Sequence, residues 1–140
     1  MPTVLLVRHG RTTANASGLL AGRADGVALD AVGRDQAARA AERVAGVPLA
    51  RVVTSPLERC RQTARAVLDH QADDPESLTE HGITECDYGQ WQGRALKDLA
   101  QEPLWSVVQA QPSAAVFPGG ESLAGLQARG GGAGRGLVAG

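Results

Sequence analysis

The chain has 140 residues, a formal net charge of −1, and only 3% aromatic side chains against 43% apolar ones overall. A near-neutral balance removes the broad electrostatic reason to expect nucleic acid or an anionic membrane as a partner, since both attract strongly basic surfaces. No apolar run reaches the length of a membrane span or of a signal-peptide core, so the sequence predicts a cytoplasmic protein with one domain, its core resting on Val, Leu and Ala.

Apolar and polar segments alternate in the manner of a mostly parallel sheet with helices on both faces, a three-layer α/β fold. Residues 3–7 contain Val4-Leu5-Leu6-Val7 and predict a short buried first strand. It exits into Arg8-His9-Gly10, and in an open α/β sheet the residues beyond the carboxyl end of a strand face the ligand crevice. Arg8 offers a fixed charge, and the neutral imidazole of His9 is able to attack phosphorus. A bare Arg-His-Gly tripeptide is more often an ordinary strand end than a site.

Asp30 is placed to cap a helix over residues 31–44, in which Ala37, Ala40, Ala41 and Val44 share one face, and Gly46 with Pro48 ends it. Residues 51–54 predict a second strand. Beyond it, Ser55 reads as an N-cap, Pro56 as the first helical residue and Glu58 as the close of a capping box. Arg59 then lies in the first helical turn, where free N–H groups and the helix dipole favour an anion. Taken alone, Arg59 is as well explained as a solvated surface charge, which is the preferred reading of Arg61 and Arg65. Cys60, Ala64, Val67 and Leu68 follow core spacing. Asp73-Asp74-Pro75 marks a loop, residues 78–85 an extended stretch, and residues 95–100 and 103–109 two short helices. Residues 18–26, with Arg23 and Asp25, and the surroundings of Trp91 and Trp105 either line the mouth of a site or pack as loops.

The cysteines point away from thiolate chemistry. A cysteine-based phosphatase separates Cys and Arg by five residues around an anion-binding loop, whereas the residue at that place after Cys60 is Ala66 and Arg65 falls one short. Cys60 also lies inside a predicted helix. Cys60 and Cys86 therefore read as small packed residues in a reducing compartment.

Two separated segments give the chain a stronger signature than either alone. Arg8-His9-Gly10 after the first strand, followed by Ser55-x-Leu57-x-Arg59-x-x-x-Thr63-Ala64, resembles the histidine phosphatase superfamily, also called phosphoglycerate mutase-like. Leu29-Asp30, Gly33 and Gln36-Ala37 match the region between these motifs, and Glu85-Cys86-Asp87-Tyr88-Gly89-Gln90-Trp91-Gln92-Gly93 matches the family's acidic segment. Glu102-Pro103-Leu104-Trp105 and the run from Pro112 through Phe117-Pro118-Gly119-Gly120-Glu121-Ser122-Leu123 are similar to a bacterial branch of phosphomutases. The resemblance covers about residues 3–128.

It implies a phosphomonoester phosphatase or phosphomutase acting on a small phosphorylated metabolite, with no cofactor and no metal. His9 is implied as the nucleophile and Glu85 as the proton donor and acceptor, with Arg8, Arg59 and Asn15 binding phosphate. Residues 1–128 are expected to form an incomplete histidine phosphatase domain. Residues 129–140 carry six glycines in the eleven positions after Arg129 and are expected to be a flexible, off-pattern tail. The second active-site histidine of the family is expected in a Ser-His-Gly context, which neither His70 nor His81 has, so the C-terminal part of the fold is expected to be missing. The alternatives to an impaired enzyme are a non-catalytic phosphate-binding remnant and an unstable gene product. A nucleic-acid-binding module stands well behind them, for want of stacking aromatics.

Overall fold

A computed structural model describes residues 2–139, an α/β chain with the order α1 (Thr13–Ala16), α2 (Ala31–Val44), β1 (Arg51–Thr54), α3 (Glu58–Asp69), β2 (Glu76–Thr79), α4 (Leu96–Leu99), α5 (Pro103–Ala110) and α6 (Leu123–Ala139). Short 3-10 turns lie at His81–Ile83, Gly89–Trp91 and Pro112–Ala114. The chain packs as two compact units, Met1–Thr13 with Gly26–His81, and Ala14–Asp25 with Gly82–Gly140.

In the first unit β1 and β2 pair in parallel across the α3 crossover, in register from Arg51 opposite Glu76 to Thr54 opposite Thr79. Helix α2 has the bounds its apolar spacing predicts. Asp30 caps it by accepting a bond from the Gly33 N–H at 2.7 Å and is also bonded by Arg11 Nε at 2.6 Å. These contacts hold the Asp30 carboxyl below its ordinary pKa, the Gly33 bond contributing most. Ala37 and Ala41 on α2 and Val67 on α3 are buried, and the two helices pack on each other. With interior side chains this small, backbones come close. A Cβ on Gly10 would collide with the Gly33 carbonyl, and one on Gly33 with the Arg11 carbonyl.

The expected strand over residues 3–7 is not formed. Residues 2–11 carry no regular secondary structure, and Leu6 is 94% exposed. An apolar run becomes a strand only where a neighbour supplies ladder partners, and the sheet among the described residues consists of β1 and β2 alone. The helix after β1 also begins later than its capping box predicts. Leu57 is extended at ψ 142°, so α3 starts at Glu58, and Ser55 Oγ accepts a bond from Leu57 N–H at 3.4 Å in the preceding turn. Arg59 keeps its place in the first helical turn.

The second unit is built around aromatic rings, contrary to the expectation of a core resting on Val, Leu and Ala. Cys86, Trp91, Leu99 and Phe117 form its buried cluster, with Tyr88, Leu104 and Trp105 packed against it. Trp91 stacks on Trp105 at 6.3 Å between centroids and meets Phe117 edge to face at 5.3 Å. The acidic segment is sewn to the loop before α6 by bonds from Gln90 N–H to Pro118 O and from Glu121 N–H to Asp87 O. Gly89 permits this, since its φ is +54° and a Cβ there would strike the Pro118 carbonyl. Within residues 18–26, Leu20 and Arg23 are bonded to the segment around Trp91. Leu20 exchanges backbone bonds with Gly93 and Arg94, and Arg23 N–H reaches Gln92 Oε1 at 3.0 Å.

The glycine-rich stretch read as flexible is helical, since α6 continues through it to Ala139. Each glycine lowers helix stability by about 1 kcal/mol relative to alanine. Once a helix is nucleated, though, each further residue adds a backbone bond, and Arg129 ties the middle of α6 to the acidic segment.

Candidate active site

Arg8, His9 and Arg59 belong to the first unit, and Asn15 and Glu85 to the second. In the first unit one hydroxyl joins the two sequence motifs. Gly10 N–H donates to Thr63 Oγ1 at 3.3 Å, and Thr63 Oγ1 donates to the Arg59 carbonyl at 2.9 Å. The Arg-His-Gly segment is thereby pinned to α3, and Thr63, the threonine of the second motif, acquires a physical reason. The motif marks this threonine without indicating its linking role.

His9 is half-buried, and its Nδ1 lies 2.7 Å from the Gly10 carbonyl. A carbonyl oxygen only accepts, so Nδ1 carries the proton and the lone pair of the neutral ring is on Nε2. The neutral ring is thus held with Nε2 unprotonated. Arg59 is 3% exposed, which removes the solvated-surface reading. A guanidinium so buried is uncommon unless it is matched by an anion or by hydrogen bonds. Arg8 is exposed, and Arg61 and Arg65 on α3 are surface residues as expected, Arg65 pairing with Asp69. His70 and His81 are both exposed.

In the second unit Asn15 is an exposed residue of α1, its main-chain carbonyl accepting from Gly18 N–H. Glu85 is half-buried. Its Oε1 accepts from Cys86 N–H at 2.7 Å and from the Tyr88 hydroxyl at 3.5 Å. Its main-chain carbonyl accepts from two arginines, Arg23 Nε at 2.8 Å and Arg129 Nη2 at 3.0 Å. The latter contacts were missed in the sequence, where Arg23 was one of several loop residues and Arg129 only the last residue before the glycines. Glu121 pairs with Arg129 and holds its carboxyl at about 2, far below the ordinary range. Burial beside Glu121 and Glu85 drives the Cys86 thiol up to about 12, which agrees with a packing role. Cys60 lies in the first turn of α3 and not on a loop, so the thiolate reading gains nothing. Among the described residues no group of three or more His, Cys, Asp or Glu is arranged to hold a metal ion, and no helix is long and apolar enough to cross a membrane.

The first unit thus holds a half-buried histidine of one tautomer and a buried arginine, linked through one threonine. The family model of the histidine phosphatase superfamily (branch 1) matches residues 4–139, and the chain belongs to that superfamily. It is 39% identical over 97 residues to adenosylcobalamin/alpha-ribazole phosphatase of Salmonella typhimurium, covering 69% of this chain and 46% of that protein. Against the protein named probable phosphoglycerate mutase GpmB of Yersinia enterocolitica it is 34% identical over 132 residues, covering 92% of this chain and 60% of the relative. Among solved structures, mycobacterial glucosyl-3-phosphoglycerate phosphatase in complex with VO3 superposes with a TM-score of 0.83 at 26% identity, over 94% of this chain and 62% of that one. The chain thus spans about half to three fifths of the length of these relatives.

Proposed function

We propose that the chain acts in phosphoryl transfer from small phosphomonoesters through a phosphohistidine at His9. The observation that carries this is the Nδ1–H bond to the Gly10 carbonyl, within a segment that Thr63 ties to the helix bearing Arg59. Nε2 of His9 attacks phosphorus, the phosphorus–oxygen ester bond breaks, and the leaving alcohol takes a proton from Glu85. Water or a second alcohol then attacks, gives its proton to Glu85, and the nitrogen–phosphorus bond breaks. Arg8 and Arg59 bind the phosphoryl oxygens with paired donors, and Asn15 adds a neutral hydrogen bond. A phosphatase and a phosphomutase use the same residues for these steps. The names of the relatives, which include both a phosphatase and a mutase, support the class of reaction and leave the acceptor open.

A second reading is phosphate binding without appreciable turnover. It is favoured by His70 and His81, which are exposed and lack the Ser-His-Gly context of the family's second active-site histidine. The test is phosphate release together with trapping of the covalent adduct. His9→Ala should abolish both release and the acid-labile adduct, and an adduct on another residue, or undiminished release, contradicts the assignment. Binding of inorganic phosphate that depends on Arg59, with no adduct, would support the second reading.

A further inference from the structure

The arginines around Glu85 form a closed set of contacts outside the phosphate-binding residues. Arg129 donates from Nη1 to the Gly82 carbonyl at 3.0 Å and from Nη2 to the Glu85 carbonyl at 3.0 Å. It also grips both oxygens of Glu121, from Nε at 3.0 Å and from Nη2 at 2.7 Å. Arg23 reaches the Glu85 carbonyl through Nε and Glu121 through Nη2 at 3.4 Å. Glu121 Oε1 in turn accepts from Asp87 N–H at 2.9 Å. The segment from residue 82 to residue 87 is therefore held at Gly82, Glu85 and Asp87 by three charged side chains.

The geometry at Glu85 gives this set a purpose. The Glu85 carbonyl, held by both arginines, and the Cys86 N–H, which holds Glu85 Oε1, are opposite ends of one planar peptide unit. Fixing the carbonyl fixes the direction of the N–H, and with it one oxygen of the carboxylate. We propose that Arg129, Arg23 and Glu121 are positioning residues that aim the Glu85 carboxylate by locking the 85–86 peptide plane. The proposal rests on the reading of Glu85 as proton donor. Glu121 is itself unsuited to proton transfer near neutrality, because its bonds to Arg129 keep it ionised down to about pH 2. It acts as a fixed negative charge that holds two guanidiniums over one carbonyl.

The test uses the full chain and two readouts. Amide hydrogen exchange decides the local claim. Arg129→Met should speed exchange at Cys86 and Asp87 by about tenfold, as loss of a charge-assisted bond predicts, and leave Val67 and Leu68 of α3 unchanged. Arg23→Met, which spares the Arg129–Glu121 pair, should move the same two amides by a smaller factor. It keeps the test open if Arg129→Met fails to fold. Unchanged exchange at both amides, or an equal rise throughout α3, overturns the proposal. The second readout is the ratio of turnover on a nitro-activated aryl phosphate to turnover on an alkyl phosphate, since an aimed acid matters most for a poor leaving group. Glu85→Gln should raise this ratio about a hundredfold, and Arg129→Met should raise it in the same direction. A rise with Glu85→Gln but none with Arg129→Met overturns the positioning role alone. No rise with Glu85→Gln removes the proton-donor reading first and the positioning role with it.

Discussion

The two units secure their functional residues by different means. The first relies on close backbone approach, with Gly10 against Gly33 and a single threonine bridging the Arg-His-Gly segment to α3, over an interior of Ala37, Ala41 and Val67. The second surrounds Cys86 with aromatic rings and holds the adjoining Glu85 backbone with charge. Small side chains allow backbones to touch but contribute little burial, so the first unit's geometry is vulnerable to the addition of a single methyl group. Large rings contribute burial, so the second unit is vulnerable to their removal. Precision at a site is reached by either route, and the route determines which substitutions harm it.

The largest effect is expected from Trp91→Ala. The ring is 4% exposed and touches both Trp105 and Phe117, and removal of such a side chain costs about 3–5 kcal/mol. Chemical denaturation with amide exchange should place the loss around Leu99 and Phe117. A loss centred on α2 and α3 would break the contrast between the units. Gly10→Ala comes next, at about 1–3 kcal/mol, because the added methyl group must displace the Gly33 carbonyl. Its signature is faster exchange at Arg34 and Thr63 together with a lower melting temperature. An unaffected melting temperature would show that the segment accommodates a Cβ.

Acid should act on the second unit through Glu121. Its folded-state pKa of about 2 lies below the ordinary 4.5, so the ionised form favours the fold. That stabilisation is fully present above about pH 4.5 and fades as the pH falls towards 2. Protection of the Asp87 amide, measured between pH 5 and 2, should decline over that interval in the wild type and be flat in Glu121→Gln. The smallest effect is expected at Thr84. Its buried Oγ1 has no hydrogen-bond partner among the described residues, so Thr84→Val should leave stability within about 1 kcal/mol of the wild type, on the stabilising side. A clear destabilisation would mean that the hydroxyl is engaged after all.

What could be read in advance was what is local or carried by a motif. Asp30 and the alanine spacing were enough for the bounds of α2, and Arg51–Thr54 is a strand as its composition suggests. Val4 to Val7 misled, because a strand is a relation between segments and its pairing is not written in its own residues. Ser55 misled for a subtler reason, since its capping pattern is satisfied by a turn one step before the helix. The glycine-rich end was judged by propensity alone, without the anchoring bonds of Arg129. Those bonds, like the contacts of Arg23 with Glu85 and Glu121 across 62 and 98 residues of sequence, join positions that no local window contains. The motif residues were legible as a pattern, whereas the hydrogen bonds of Thr63 and the contacts of the two arginines were not.

The hydrogen bond from His9 to its neighbour's carbonyl bears on the lifetime of the proposed intermediate. A ring that attacks through Nε2 while keeping the Nδ1 proton carries a positive charge once phosphorylated, and the Gly10 oxygen lies 2.7 Å away to stabilise it. Neutral imidazole then departs when the phosphoryl group moves on, a far better leaving group than imidazolate. The adduct should accordingly be the isomer substituted on the nitrogen remote from the main chain. Phosphorus–nitrogen couplings in the NMR spectrum of the trapped adduct would reveal which ring nitrogen carries the phosphoryl group.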